Sequence, residues 1–129
     1  MQIHQSAEDY LETILMLSQR MGNVRSIDVV NELGFTKASV SIAMKKLREN
    51  GYIAVDGEGN LTLLEPGLEI AQRIYSRHQL LTHFFVQLGV DEQTAAEDAC
   101  KAEHILSEQT LEKIRESALR NDAAHPQAK

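Results

Sequence analysis

The amino-acid sequence predicts a mainly α-helical protein in which a winged helix-turn-helix, residues 1–65, precedes a second helical domain, residues 66–129. Three observations favour this fold. Apolar residues recur at helical spacing through most of the chain. The tight connection Gly34-Phe35, followed by the cap Thr36, separates two of the predicted helices, and a glycine-rich turn then joins two short apolar runs. The length of 129 residues suits this organisation.

Three helices are predicted in the first fifty residues, each behind a serine or threonine in the capping position. The predicted ranges are residues 7–20, 27–33 and 37–50, capped by Ser6, Ser26 and Thr36. Gly34 ends the second helix, because glycine readily takes the positive φ that this position favours. The short connection holds the second and third helices at a steep angle, so the third can enter a DNA major groove.

Two strands and three further helices follow in the prediction. Residues 52–55 and 61–64 flank a glycine-rich turn and predict a β-hairpin, the wing. The later helices are predicted from Pro66 to about residue 88, from the cap Asp91 through Cys100 to about residue 106, and from Ser107 to about residue 120. We expect the residues from Asn121 onward to be frayed.

Charge is distributed unevenly along the chain. The net charge is −6, but the segment from Arg20 to Ile53 contains six basic and three acidic residues and is therefore +3, which leaves −9 for the remainder. A basic segment in an acidic protein is typical of a DNA-binding surface joined to an acidic or cation-binding module. Chance produces the same unevenness in small proteins, so charge alone leaves both explanations open.

The candidate DNA-binding residues lie around the third helix. Its N-terminal part offers hydroxyl groups and a lysine to base edges, and its C-terminal part offers positive charge to phosphates. The candidates are Arg25, Thr36, Lys37, Ser39, Ser41, Ile42, Lys45 and Lys46. A three-helix bundle whose basic face is merely solvated is the alternative that this pattern leaves open.

Six residues with metal-binding side chains are spread over three predicted helices. They are Asp9, Glu12, His78, Cys100, Glu103 and His104. The last three stand at i, i+3 and i+4, which places a thiolate, a carboxylate and an imidazole on one arc of a helix. The first two repeat the i, i+3 spacing, off the apolar arc of the first helix. Each residue alone is more often a packing or surface residue, so the set predicts a metal site only if the three helices meet.

Composition narrows the classes of protein to consider. A single cysteine excludes an intramolecular disulfide, and no apolar run approaches the roughly 20 residues that span a bilayer. The first six residues lack the pattern of a signal peptide, so we expect a cytoplasmic protein with no membrane partner. No nucleophile or phosphate-cradling loop is apparent, and we expect neither an enzyme nor a small organic substrate. A regulator of another signal, a small metalloenzyme and a helical dimer module stay open as alternatives.

Five short sequence motifs follow one another along the chain. They are AEDYLETI at residues 7–14, GYI at 51–53, LLEPG at 63–67, RHQLL at 77–81 and AEHILS at 102–107. In order and spacing, over about residues 6–120, they resemble the diphtheria toxin repressor family of metal-dependent regulators. We expect no third, SH3-like domain of the kind that the longer members have, and in this the chain is similar to the shorter manganese transport regulators.

The resemblance implies a homodimer that represses metal-uptake genes by binding palindromic double-stranded operator DNA when Mn(II) or Fe(II) is bound. The residues that match metal ligands of the manganese branch are Asp9, Glu12, His78, Glu103 and His104. The remaining ligand of that branch is a glutamate, where this chain has Cys100. A cysteine there is typical of the iron branch, which in turn has a methionine in place of Asp9. The ligand set is therefore a hybrid, and its thiol favours iron, or mixed iron and manganese.

Overall fold

The computed structural model describes residues 5–124, and within them six helices and three short strands follow one another. In chain order they are α1 (Gln5–Met21), β1 (Val24–Arg25), α2 (Ser26–Leu33), α3 (Lys37–Glu49), β2 (Ile53–Val55), β3 (Asn60–Leu63), α4 (Glu65–Gln87), α5 (Glu92–Ala102) and α6 (Glu108–Ala124). Among these residues, none of the helices combines the length and the apolarity that crossing a membrane requires.

The chain divides into two compact units, Met1–Arg73 and Ile74–Lys129. The first unit contains α1 to β3 and the start of α4, and the second contains the rest of α4 with α5 and α6. The predicted domain boundary after residue 65 lies at the start of α4 and remains a prediction.

The first unit is organised around an apolar core that its helices and its sheet share. Leu11 and Ile14 of α1, Val29 of α2, Val40 of α3 and Ile53 of β2 are all buried. On α3, for example, the buried residues Val40, Met44 and Leu47 recur at helical spacing, so the helix buries one stripe and leaves the other side to solvent. Contacts of α1 with α2, α3 and β3 close this core.

The connection between α2 and α3 is the predicted helix-turn-helix. Gly34 has a φ of 72°, and its N–H donates to the Val30 carbonyl oxygen at 2.8 Å. Thr36 then caps α3, since its hydroxyl oxygen accepts a hydrogen bond from the Ser39 N–H at 3.1 Å. The predicted glycine stop and threonine cap are both confirmed.

Two other predicted caps are wrong. Ser6 lies inside α1, which begins at Gln5, and Ser26 is the first residue of α2 rather than its cap. The cap position of α2 is Arg25, whose backbone N–H donates to the Asp28 carboxylate at 2.8 Å. Because this carboxylate accepts the N–H at the helix start, the serine hydroxyl is not needed there.

The wing is an antiparallel hairpin of β2 and β3, as predicted, in which Ile53 pairs with Leu63. Its turn is held by Asp56, whose carboxylate accepts the N–H groups of Glu58 and Asn60, each at 2.9 Å. These hydrogen bonds, chiefly the one from the Asn60 backbone, hold the pKa of Asp56 below its ordinary value. The turn is therefore ordered by an ionised side chain.

A third strand, which the sequence did not predict, extends this sheet. In β1, Val24 pairs with Leu61 and Arg25 pairs with Asn60, giving the strand order β1-β3-β2. Two residues are too few to show the alternating pattern by which strands are predicted. The pairing places Arg25, a candidate DNA-binding residue, on the wing sheet directly before α2.

The second unit has its own apolar cluster, to which all three of its helices contribute. Leu81 of α4, Ala99 of α5 and Leu111 of α6 are buried at its centre. The partly buried residues around them are Leu80, Phe85, Ala102, Leu106 and Ile114. This cluster fixes the helices that carry the unit's candidate metal ligands.

The helix α5 ends at Ala102, four residues before the predicted end. The Ile105 N–H donates to the Ala102 carbonyl oxygen at 3.1 Å, so the chain closes into a tighter turn. Ser107 then caps α6 by accepting the Thr110 N–H at 3.1 Å. The predicted start of the last helix at Ser107 is therefore confirmed to within a residue, whereas the predicted end of α5 is wrong.

The expectation of fraying from Asn121 onward is wrong, because α6 continues to Ala124. The Asn121 amide donates to the Gln87 side-chain oxygen at 3.0 Å, and the Gln87 amide donates to Asp122 at 2.9 Å. His83 also lies 2.9 Å from the Asp122 carboxylate. These polar contacts join the last turn of α6 to α4. Residues 125–129, the remainder of the predicted frayed segment, lie outside the described residues.

Gly67, in the first turn of α4, is buried against the backbone of Tyr52. A Cβ atom at Gly67 would overlap the Tyr52 carbonyl oxygen and lie 3.3 Å from Leu11 Cδ2. The same carbonyl oxygen accepts a hydrogen bond from the Leu64 N–H at 3.0 Å. Because backbone cannot move aside as a flexible side chain can, this position admits glycine alone.

We expect Gly67→Ala to lower the free energy of unfolding by about 2–3 kcal/mol, because the added methyl group overpacks a backbone contact. Urea unfolding followed by circular dichroism measures the change. The control is Gly57→Ala, since a Cβ at Gly57 meets nothing within 4 Å. Equal stability of the two variants would contradict this view of the contact.

Candidate metal centre and nucleic-acid interface

The predicted DNA-binding residues all lie on the surface of the first unit. Arg25 is exposed on β1, and Thr36 is exposed at the cap of α3. The remaining six are exposed along α3 itself: Lys37, Ser39, Ser41, Ile42, Lys45 and Lys46. The structure thus places them around one helix, on the side away from the buried stripe of Val40 and Met44.

A shallow groove of about 250 Å³ runs beside this face. Ser41, Lys45 and Arg48 of α3 line it, together with Ser26 of α2 and Val55 of β2. Ser26 and Arg48 were not among the candidate DNA-binding residues, although Arg48 belongs to the basic C-terminal part of the predicted third helix. The helical spacing of Arg48, one turn after Lys45, is the signal that identifies it. Two cationic side chains, Lys45 and Arg48, therefore line the groove, and both are of the type that contacts phosphates.

In the second unit, the candidate metal ligands surround the carboxylate of Glu103. This side chain is fully buried, and one of its oxygens lies 3.0 Å from His78 Nδ1. The other lies 3.4 Å from His104 Nε2. The Cys100 sulfur is within 4.8 Å of a Glu103 carboxylate oxygen. Four of the six predicted ligands are therefore close together in this unit.

The local backbone of this cluster differs from the predicted helical arc. Cys100 lies in α5, but Glu103 is the residue after its end and His104 lies in the turn that follows. Glu103 keeps helical dihedral angles, and its N–H donates to the Ala99 carbonyl oxygen at 2.9 Å. The turn, rather than a continuing helix, directs the imidazole of His104 towards the carboxylate.

The carboxylate of Glu103 is shielded from water. Its carboxylate has no exposed area, and the His104 side chain is 2% exposed. Taking an ionised carboxylate out of water costs on the order of several kcal/mol unless opposite charge and hydrogen bonds offset it. The neighbouring imidazoles offer that compensation when protonated, and a cation offers it when they are neutral. Carboxylate, imidazole and thiolate are the donors that first-row transition metals take, so these residues fit such an ion.

Arg77, which the sequence did not single out, holds the backbone of this turn. Its Nη1 donates to the Glu103 carbonyl oxygen at 3.0 Å, and its Nη2 pairs with Glu108 at the start of α6. The Arg77 side chain is 15% exposed, whereas that of Glu108 is 78% exposed, so water screens the contact with the Glu103 carbonyl less than the ion pair. Arg77 precedes His78 on α4, and the helix thus supplies one candidate ligand and the support for another.

The other two candidate ligands, Asp9 and Glu12, belong to the first unit and lie on α1. Asp9 is partly exposed, whereas Glu12 is buried at 5% exposure. Glu12 was predicted to lie off the apolar arc of the first helix, and its burial adds a fact that this prediction did not include. Burial raises the pKa of the adjacent Tyr10, and the negative charge of Asp9 raises it further.

Two family models cover nearly the whole chain. The model of the iron dependent repressor N-terminal DNA binding domain matches residues 2–61. The model of the iron dependent repressor metal binding and dimerisation domain matches residues 64–126. The two matches follow each other in the order that the structure shows, with the winged helix first.

Individual proteins agree with these models. An uncharacterized HTH-type transcriptional regulator from Methanocaldococcus jannaschii is 37% identical over 113 residues, which are 86% of this chain and 90% of that protein. The HTH-type transcriptional regulator MntR from Lysinibacillus sphaericus is 33% identical over 109 residues, which are 84% of this chain and 78% of that protein.

A solved structure described as a manganese-dependent transcriptional repressor complex with manganese has the same fold, with a TM-score of 0.79 at 26% identity. The match covers 87% of this chain and 52% of that one, so this chain spans about half the length of the solved protein. These relatives are transcriptional regulators, not enzymes. The chain belongs to the diphtheria toxin repressor family, the iron dependent repressors, which are metal-dependent and DNA-binding regulators of transcription.

Proposed function

We propose that this chain is a homodimeric repressor that binds a palindromic operator when it is loaded with Mn(II) or Fe(II), and that it controls metal-uptake genes in the cytoplasm. The observation that carries the proposal is the buried carboxylate of Glu103 with the donor atoms of His78, His104 and Cys100 around it in the second unit. The MntR name of one relative, and the manganese complex of the solved relative, support the choice of metal.

The proposed ligand set consists of this cluster and the two carboxylates of α1. It comprises Asp9, Glu12, His78, Cys100, Glu103 and His104. A bound divalent ion would supply the positive charge that a set with three carboxylates and a thiol lacks. The buried state of Glu12 and Glu103 supports their assignment, because buried carboxylates are ordinarily paired with cations.

The identity of the metal depends on Cys100. Carboxylates suit Mn(II), whereas a thiolate suits Fe(II), Co(II) or Zn(II) better. Cys100 is exposed at the end of α5, where it is the sole sulfur donor of the proposed set. We therefore infer a preference for iron, or a response to both iron and manganese, rather than strict selectivity for manganese.

Division of the ligands between the units suggests how metal controls DNA binding. Asp9 and Glu12 lie on α1, in the same unit as α3, and the other four ligands lie in the second unit. Full ligation then requires one arrangement of the two units in each protomer. In a dimer, this would set the separation of the two α3 helices to about one turn of DNA, roughly 34 Å.

In the metal-free protein, electrostatic repulsion would favour a different arrangement of the two units. Without a cation, the carboxylates of Asp9, Glu12 and Glu103 repel one another when brought close, which disfavours the ligating arrangement. A differential affinity of about 3–5 kcal/mol between the two arrangements is enough to switch DNA occupancy.

We expect His104→Ala to remove most of the metal response, because it deletes a buried donor that faces Glu103. Manganese should raise the affinity of the unmodified protein for a duplex selected from a random-sequence pool by about 5- to 150-fold, the usual range of allosteric coupling. Fluorescence anisotropy of that duplex, with and without Mn²⁺, measures the response, and calorimetry measures Mn²⁺ binding itself. His83→Ala is the control, since His83 is exposed and lies outside the proposed set. An equal response in His104→Ala and the unmodified protein would rule out this ligand.

Cys100→Glu should raise the response to manganese relative to iron or cobalt, because it replaces a soft thiolate with a hard carboxylate. The half-saturating concentrations of Mn²⁺, Fe²⁺ and Co²⁺ for duplex binding, measured without oxygen, give the ranking. Cys100→Ser is the control, since it removes the sulfur without adding a carboxylate. If Cys100→Glu leaves the ranking unchanged, the thiol does not determine the choice of metal.

A further inference from the structure

Ile42 lies at the centre of the solvent-facing side of α3. It is 59% exposed, more than the other large apolar side chains that the structure describes in the first unit. Val40 and Met44, each two residues away, are buried. Successive helical residues are rotated by about 100°, so Ile42 points about 160° away from each of them. The helix therefore presents an isoleucine at the point furthest from its core.

The residues around Ile42 are chemically different from it. Ser39 and Ser41 on its two sides are exposed hydroxyl residues, and Lys45 and Lys46 follow one turn later. Hydroxyl and ammonium groups can contact phosphates or base edges, but the isoleucine offers methyl and methylene groups alone. A single exposed apolar side chain is ordinary by itself, but Ile42 is unusual because polar and cationic side chains lie around it on the exposed surface of the helix.

The charge of this face selects the class of partner. The exposed basic residues of α3 outnumber its one acidic residue, Glu49, by four to one: they are Lys37, Lys45, Lys46 and Arg48. A second copy of the chain or another protein would ordinarily need a wider apolar patch and fewer cations at its centre. A polyanion that also carries an isolated apolar group fits better. In DNA, the C5 methyl group of thymine is that group, and it lies on the major-groove edge.

We propose that Ile42 contacts a thymine methyl group in each half-site of the operator and so determines base specificity at that position. The proposal rests on the proposed function, since it assumes that α3 enters the major groove. Hydroxyls and lysines of the helix would then hold its register on the phosphates and bases, while Ile42 distinguishes thymine from the bases that lack a methyl group.

Replacement of single thymines by uracil tests this, because it deletes the methyl group and leaves the hydrogen-bonding edge intact. The Mn²⁺-loaded protein first selects duplexes from a random-sequence pool. Each thymine of a selected duplex is then replaced in turn, and the affinity is measured. We expect one position in each half-site to lose about three- to tenfold in affinity, as the loss of a buried methyl contact implies.

In Ile42→Ala, that position should become insensitive to uracil, because the contact is already gone. Alanine has a higher helix propensity than isoleucine, and the side chain is exposed, so the variant should fold normally. Ile27→Ala is the matched control, since Ile27 is an exposed isoleucine at the start of α2. It should keep the uracil sensitivity.

Two results would overturn the proposal while leaving the proposed function intact. One is a uracil effect of the same size in Ile42→Ala and the unmodified protein, and the other is the lack of any sensitive thymine. Failure of the loaded protein to select any duplex would overturn the proposed function as well. A change of oligomeric state in Ile42→Ala, with uracil sensitivity retained, would assign the residue to a protein interface.

Discussion

The buried carboxylate of Glu103 is the constraint on which the second unit depends. It has no exposed area, and His78 from α4 and His104 from its own turn face its two oxygens. Arg77 holds the carbonyl oxygen of the same residue and pairs with the start of α6. One acidic residue thus links α4, the end of α5 and α6. Removing one partner of such a buried group leaves its charge uncompensated, which is costlier than losing the pair.

The first unit meets a different requirement, which is to expose one face of a helix while the opposite face is buried. Core residues such as Val40 and Leu47 bury one stripe of α3, and the rest of its surface remains open. The wing, extended by β1, supports this helix through contacts between α3 and β2. The candidate DNA-binding residues of the first unit therefore lie on its surface, whereas the candidate metal ligands of the second unit surround a buried carboxylate. Metal ligation by residues of both units is the proposed link between the two.

Local signals in the sequence predicted much of this fold. Gly34 and Thr36 fixed the helix-turn-helix, and the bounds of α3 were predicted to within a residue because a glycine, a threonine and an asparagine mark them. The elements that the sequence did not predict depend on contacts with residues distant in the chain. The strand β1 exists only because β3 lies beside it, and the last turn of α6 is ordered by Gln87. Arg77 escaped notice because its role depends on a carbonyl group 26 residues away.

The central claim is that metal binding and DNA binding are linked in this chain. Its most direct test is the affinity for a selected duplex, measured on metal-free and on Mn²⁺-saturated protein, with Mn²⁺ affinity measured in the presence and absence of that duplex. If the two sites are linked as proposed, each ligand raises the affinity of the other by the same factor, about tenfold or more. Equal duplex affinity with and without the metal would contradict it.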